Sequence, residues 1–247
     1  GALLVALGSM VTPLRAADAP VYAVLSLVGD SLGIVVNEPR TGSHLDRNRR
    51  ETPVPVTGDV FDSAVVLATA QAAAQRVPGA QFSALNTRSP SLFKDQHERF
   101  PINGNTLAWP AAIGEALSAQ GATHLILVTK HRAATRIEFL DADTGSGSLE
   151  GLGFFVDGTL KVRDVDRITE GTGFVAPYVY VRLALVDVAS GQVLRTQAVT
   201  AASPVPATRR DAAIGNPWEA LSPVEKVNAI RGLIAKEMAR AVPLLFQ

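Results

Sequence analysis

The sequence predicts a mixed α/β (α+β) domain: a largely antiparallel sheet with hairpins, packed by about three helices. Three observations predict it. Alternating or continuous apolar runs of strand length recur at Val21–Val28, His124–Lys130 and Tyr178–Val188. Alanine-rich stretches of helical length separate some of them, whereas Gly-containing turns join others. The chain closes on an amphipathic helix with a recognisable start. Strands joined partly by turns and partly by helices make a mixed sheet with helices laid on it.

The first residues read as a targeting segment. Ala2 to Leu14 (ALLVALGSMVTPL) is an apolar run of signal-peptide length, followed by Arg15-Ala16-Ala17-Asp18-Ala19. Cleavage is expected near Ala16–Ala19, which leaves residues 20–247 as one domain; the alternative is an N-terminal element of the domain itself. The run is shorter than the roughly 20 apolar residues a spanning helix needs. A periplasmic, exported protein without an integral membrane span is therefore expected.

Val21–Val28 is a buried strand, Gly29-Asp30 a turn, and Ser31–Val36 a second strand, read together as a hairpin. Asn37–Thr57, with Pro39, Pro53 and Pro55, is a surface loop or irregular edge strand. Asp59–Val77 is a helix that Asp59 or Asp62 starts and Pro78-Gly79 ends. Gln81–Leu85 is a short strand. Asn86–Gly104 is a long loop anchored by Phe93 and Phe100, and Thr106–Gln120 is a helix with Pro110 in its first turn. His124–Lys130 is a central strand, with Arg136–Leu140 as its hairpin partner.

Asp143–Gly158 holds five glycines in sixteen residues together with Leu149, Leu152, Phe154 and Phe155. Two readings stand. One is a mobile contact loop whose apolar side chains order on a partner or a sister subunit. The other is a long hairpin connection whose phenylalanines tuck into the domain's own core. Next, Tyr178–Val188 alternates cleanly, with Val179, Val181, Leu183 and Leu185 on one face and Tyr180, Arg182 and Ala184 on the other. Ala189-Ser190-Gly191 turns the chain into Gln192–Thr200. Pro223–Leu245 is the last helix, with Ser222 and Glu225 spaced as a capping box and Ile230, Leu233, Ile234 and Met238 on its apolar face.

Function is less legible. Hydrophobic residues make up 47% of the chain, which excludes general disorder, and the formal net charge of zero gives no field to hold nucleic acid. Absence of cysteine excludes disulfides, thiolate metal sites and a cysteine nucleophile. Gly29-Asp30-Ser31-Leu32 resembles the first block of GDSL esterases, in which the serine is the nucleophile. Such a serine needs a base and a carboxylate to orient it. No Asp-x-x-His is present, no histidine follows His131, and the family's Gly-x-Asn-Asp block is missing. The esterase reading through Ser31 is therefore the alternative, and no catalytic residue is assigned.

His44, His97, His124 and His131 have no metal-ligand spacing, and Asp141, Asp143, Asp157, Asp164 and Asp166 lack the calcium-loop pattern. Phe154-Phe155-Val156 after Gly153 is no phosphate cradle. No cofactor or metal is expected. Arg47, Arg49 and Arg50 form a basic cluster, read either as a solvated loop or as a contact for an anionic partner.

The strand–turn–strand VYVRLALVDVASGQVLRTQAV at Val179–Val199 resembles a hairpin in three envelope groups. These are the curli-export (CsgG-like) lipoproteins, the penicillin-binding-protein activators and the TolB N-terminal domain. Arg182, Leu183, Leu185, Asp187, Ser190, Gly191 and Val193 carry the likeness, and Gly121–Val128 is similar to their helix-to-strand step. The resemblance implies a non-enzymatic envelope protein that works by contacts with an envelope protein or with itself. The partner-contact candidates are Leu149, Leu152, Phe154, Phe155, Arg47, Arg49 and Arg50.

Overall fold

The computed structural model describes residues 19–37, 49–103, 105–139, 142–145, 147–164, 169–208 and 216–247. The signal-peptide reading at residues 2–14, and Arg47 of the basic cluster, fall outside them.

The elements run β1 (Val21–Ser26), β2 (Ser31–Asn37), β3 (Arg49–Pro55), α1 (Val60–Ala74), β4 (Gln81–Leu85), α2 (Pro90–Lys94) and α3 (Gln96–Arg99). A small hairpin of β5 (Ile102–Asn103) and β6 (Thr106–Leu107) leads into α4 (Ala111–Ala119). Then come β7 (His124–Lys130), β8 (Arg132–Ala134), β9 (Ile137–Phe139), β10 (Ala142–Thr144), β11 (Ser148–Asp164) and β12 (Thr169–Asp187). The chain finishes with β13 (Val193–Ala202), β14 (Val205–Thr208) and α5 (Pro223–Ala241). This is the mixed α+β architecture the patterning predicts.

The sheet is organised by β12. Along one edge, its residues Val181–Asp187 pair antiparallel with β7, and its earlier residues pair antiparallel with β11. Along the other edge lie β13 and β14. β1 runs parallel to β7 and β2 parallel to β11, with β4 and β3 outside them. Followed from one hydrogen-bonded neighbour to the next, the strands run β3-β2-β11-β12-β7-β1-β4, with β12 long enough to hold β11 and β7 end to end along one edge.

This arrangement corrects the first expected hairpin. β1 and β2 do not pair with each other; they run on in one direction, β1 against β7 and β2 against β11. Gly29-Asp30 is a step from one half of the sheet to the other. β7 also lacks Arg136–Leu140 as a partner: β8 pairs with β11, and β9 pairs with β10. Leu140 lies outside the described residues. The loop expected at Asn86–Gly104 holds α2, α3 and β5, and Phe100 is buried there.

Both faces of the sheet are covered. Ile126 and Val128 of β7 face α1 and α5, with Val65, Ile230, Ile234 and Met238. Leu125 and Leu127 face α4 and its neighbours, with Ile113, Leu117 and Phe100. A strand buried on both sides reads as a continuous apolar run rather than an alternating one, as HLILVTK does. In β12, Val179, Val181, Leu183 and Leu185 share one cluster while Tyr180 and Ala184 lie in the others, the division that alternation predicts. The α5 capping box is formed: Ser222 Oγ accepts from the Glu225 N–H, and Glu225 accepts from the Ser222 N–H at 2.8 Å.

One core position is mismatched. Thr69 of α1 is fully buried, and its hydroxyl has no hydrogen-bond partner among the described residues. An apolar group of the same shape removes a desolvation penalty of about 1 kcal/mol. Thr69→Val is therefore expected to raise the melting temperature by roughly 2–4 °C, which scanning calorimetry measures directly.

Candidate functional site

The glycine-rich segment settles into the sheet. From Ser148 onward it is β11, a strand of 17 residues with partners on both sides. Leu149, Leu152, Phe154 and Phe155 are each 1% exposed, so they are core residues and not a surface for a partner. Phe154 meets the Trp218 ring edge-on at 5.4 Å on one face. Phe155 stacks on Phe174 at 6.0 Å on the other. The second of the two readings holds, with a strand in place of a connection.

The glycines have a packing reason. Gly33 and Gly153 are register partners in β2 and β11, and Tyr178 is opposite Gly153 in β12. The Tyr178 ring lies over both glycines and its hydroxyl donates to the Gly33 carbonyl at 3.2 Å. A Cβ at Gly153 would meet the Gly33 carbonyl oxygen at 2.0 Å and the ring at 2.7 Å, and one at Gly33 would meet the Tyr178 hydroxyl oxygen at 2.3 Å. Burial pushes the Tyr178 hydroxyl pKa well up.

Arg49 of the basic cluster is spent inside the fold. It sits on β3 and donates to the Ser148 carbonyl and, at 3.4 Å, to Thr135 Oγ1. Arg50 is its exposed neighbour on that edge strand. The two do not form a common anion-binding surface with the buried Leu and Phe residues.

What the tertiary structure does assemble is a cleft of about 1170 Å³ beyond the carboxyl ends of β1 and β4. Open sheets place crevices at such strand ends. Its walls come from β1, the β1–β2 step, β3, the start of α1, and the Leu85–Asp95 segment. At its base is Asp62, in the first turn of α1. Asp62 Oδ1 accepts from Ser26 Oγ at 2.6 Å, from the Val28 N–H at 3.0 Å and from the Gly29 N–H at 3.1 Å. Its other oxygen, Oδ2, carries no hydrogen bond among the described residues. Burial raises the Asp62 carboxyl pKa, and its three donors only partly oppose that rise.

The contact with Gly29 is close: a Cβ there would stand 2.6 Å from Asp62 Oδ2. Glycine at 29 lets the helix end clasp the β1–β2 step. Composition identifies Asp62 only as a helix-start residue. Its grip on amides 33 and 34 positions earlier is a long-range contact with no local signal.

Ser31 lies on the same cleft. Its hydroxyl accepts from Lys130 Nζ at 3.2 Å, and that nitrogen is 2.6 Å from Asp30 Oδ1. In that contact the lysine is the donor, and Asp30 holds it in place. No described histidine reaches Ser31: His97 faces Glu150, His124 bonds Thr123, and His131 meets Arg182. His44 lies outside the described residues. Moreover, β2 and not a helix follows Ser31, so the serine is not raised on a strand-to-helix elbow.

Among the described residues, no group of three or more His, Cys, Asp or Glu side chains is arranged to hold a metal ion. Of the acidic residues between 141 and 166, Asp157 is buried and serves the fold, accepting from Asn37 and Thr159. Asp141 and Asp166 lie outside the described residues. No described helix is long and apolar enough to cross a membrane.

No family model and no curated protein matches the chain. Several solved structures are similar to it at low identity. One is a protein from Xanthomonas campestris of the DUF330 family model, at 9% identity, covering 90% of this chain and 80% of that one, with a TM-score of 0.37. A second is the PelC dodecamer from Paraburkholderia phytofirmans, at 14% identity, covering 93% and 89%, with a TM-score of 0.31. A third is a putative neuraminyllactose-binding hemagglutinin homolog from Helicobacter pylori, at 10% identity, covering 92% and 91%, with a TM-score of 0.36.

Proposed function

We propose that the chain is a non-enzymatic binding and assembly module of the bacterial cell envelope, exported to the periplasm and working through contacts with another envelope protein or a second copy of itself. The observation that carries the reading is the pairing of Ser31 with an ion-paired lysine, and among the described residues no histidine stands beside it as a base. The apolar leader at Ala2–Leu14 supports export. The resemblance of Val179–Val199 to the CsgG-like, penicillin-binding-protein-activator and TolB N-terminal hairpins supports an envelope role.

A route for docking is the outer edge of β13. This strand has ten residues, contains one charged side chain (Arg195) and no proline, and among the described residues no strand pairs with its far side. Past Val193, whose N–H donates to the Asn105 carbonyl at 2.7 Å, an edge strand of this kind is a template for strand addition.

The reading is tested on the full chain by short-chain acyl ester hydrolysis, comparing it with Ser31→Ala. Equal rates at the buffer background are expected. A Ser31-dependent turnover would show that the chain is an esterase and would end the proposal. Osmotic-shock fractionation checks the location, with the chain expected in the periplasmic fraction; retention in the cytoplasm overturns export.

A further inference from the structure

The cleft at the ends of β1 and β4 has features that docking through a sheet edge does not use. Its volume of about 1170 Å³ is of the size that takes a small organic ligand. Val56, Val66, Leu85 and Phe93 give it apolar walls. The Asp62 carboxylate is fixed at its base by three donors, all on Oδ1, so it is oriented before any ligand arrives.

Charge decides the kind of ligand. Asp30 is neutralised by Lys130. The remaining charged residues of the lining are the carboxylates Asp59, Asp62 and Asp95 against the cations Arg88 and Lys94. That leaves one negative charge, which a single positive group balances and a polyamine overshoots. Asp62 is where that group docks, because its Oδ1 is held by three donors while its Oδ2 has an open acceptor position on a carboxylate that burial penalises.

We infer that this cleft is a binding site for a monocationic organic amine, with its ammonium group on Asp62 Oδ2 and its apolar body along Val56, Val66, Leu85 and Phe93. The inference goes beyond the docking role and does not depend on it, since no protein partner enters it. An alkylammonium group is carried both by free amines and by lysine side chains, and the test separates the two.

The experiment is isothermal titration of the full chain with hexylamine, hexanol, hexanoate and a capped lysine tripeptide. Hexylamine is expected to bind at one site. Hexanol and hexanoate are expected to bind at least about tenfold more weakly, the worth of one charge-assisted hydrogen bond. Binding of the tripeptide at the hexylamine affinity identifies a protein side chain as the source of the amine, and its exclusion identifies a free amine. Asp62→Asn, with native circular dichroism, is expected to lose about tenfold or more in hexylamine affinity. If Asp62→Asn does not fold, Val66→Trp takes its place: it fills the cleft from a half-buried position on α1 and is expected to abolish binding. Equal affinity for hexylamine and hexanol, or unchanged hexylamine binding in the folded variant, overturns the inference. Neither result bears on ester hydrolysis or periplasmic location, so the two proposals fail separately.

Discussion

Gly153→Ala is expected to destabilise the chain by about 3 kcal/mol or more, and no change at Tyr178 will restore it. The Cβ of the new alanine would stand 2.0 Å from the Gly33 carbonyl oxygen, and backbone in the middle of a paired sheet has nowhere to go. Gly33→Ala is different. Its Cβ would meet the Tyr178 hydroxyl oxygen at 2.3 Å, but the ring carbon that bears it lies 3.6 Å away, an ordinary contact. Gly33→Ala alone is expected to cost roughly 1–3 kcal/mol. Tyr178→Phe alone is expected to cost about 1 kcal/mol for the lost bond to Gly33. In the double variant the clash is gone, so the two costs should fall well short of adding. Urea unfolding of the five proteins, wild type included, gives the coupling directly. Additive costs for Gly33→Ala and Tyr178→Phe would show that the ring does not lie over the glycines as described.

The second large effect is at Asp62. Asp62→Ala leaves three donors without their acceptor: the Ser26 hydroxyl and the N–H groups of Val28 and Gly29, all in buried residues. Stranded buried donors cost about 1–3 kcal/mol each, so a loss of at least about 3 kcal/mol is expected. Asp62→Asn keeps a carbonyl oxygen for the same donors and should cost only about 1–2 kcal/mol. Wild type and the Asn variant also differ in how their stability depends on pH. Burial raises the Asp62 carboxyl pKa above its unfolded value of 3.8, so the folded chain holds that proton longer than the unfolded chain does. Its contribution to stability is therefore greatest in acid. It falls as pH climbs from 3.8 through the folded pKa, and is level above it. The Asn variant has no such slope, so its deficit relative to wild type should shrink as pH rises towards neutrality. A deficit that grows with pH would mean that the folded chain favours the ionised form of Asp62.

Both effects concern residues whose role was invisible along the chain. The five glycines of Asp143–Gly158 are equally compatible with a mobile contact loop and with a strand under an aromatic ring. Composition counts glycines and does not say what lies above them. Leu149, Leu152, Phe154 and Phe155 were legible as apolar residues, but a partner surface and the domain's own core were equally open to them, and only the structure buries them. Which face each one takes depends on the register of β11 between β2 and β12. The candidate cleft was hidden for the same reason: Ser26, Asp30, Asp62, Leu85 and Phe93 are spread over nearly seventy positions and meet only at the strand ends.

From the sequence alone come the elements with a period or a local chemical signature. The alternation of Val179 to Leu185, the unbroken apolar run of β7 and the capping box at Ser222 and Glu225 each contain their own cause within a few residues. The Asp187–Ser190 turn is of the same kind, with Asp187 Oδ1 accepting from the Ser190 N–H at 2.8 Å. Tertiary structure alone decided what the Gly29-Asp30 step does. A polar Gly-Asp pair serves a hairpin or a crossing equally well by its own dihedral freedom. Asp62, brought in by α1, holds the amides on that step, while β7 and β11 offer β1 and β2 separate parallel partners. Local propensity acts over a turn of chain, and these contacts close loops of tens of residues, so their energy appears only once the sheet is assembled.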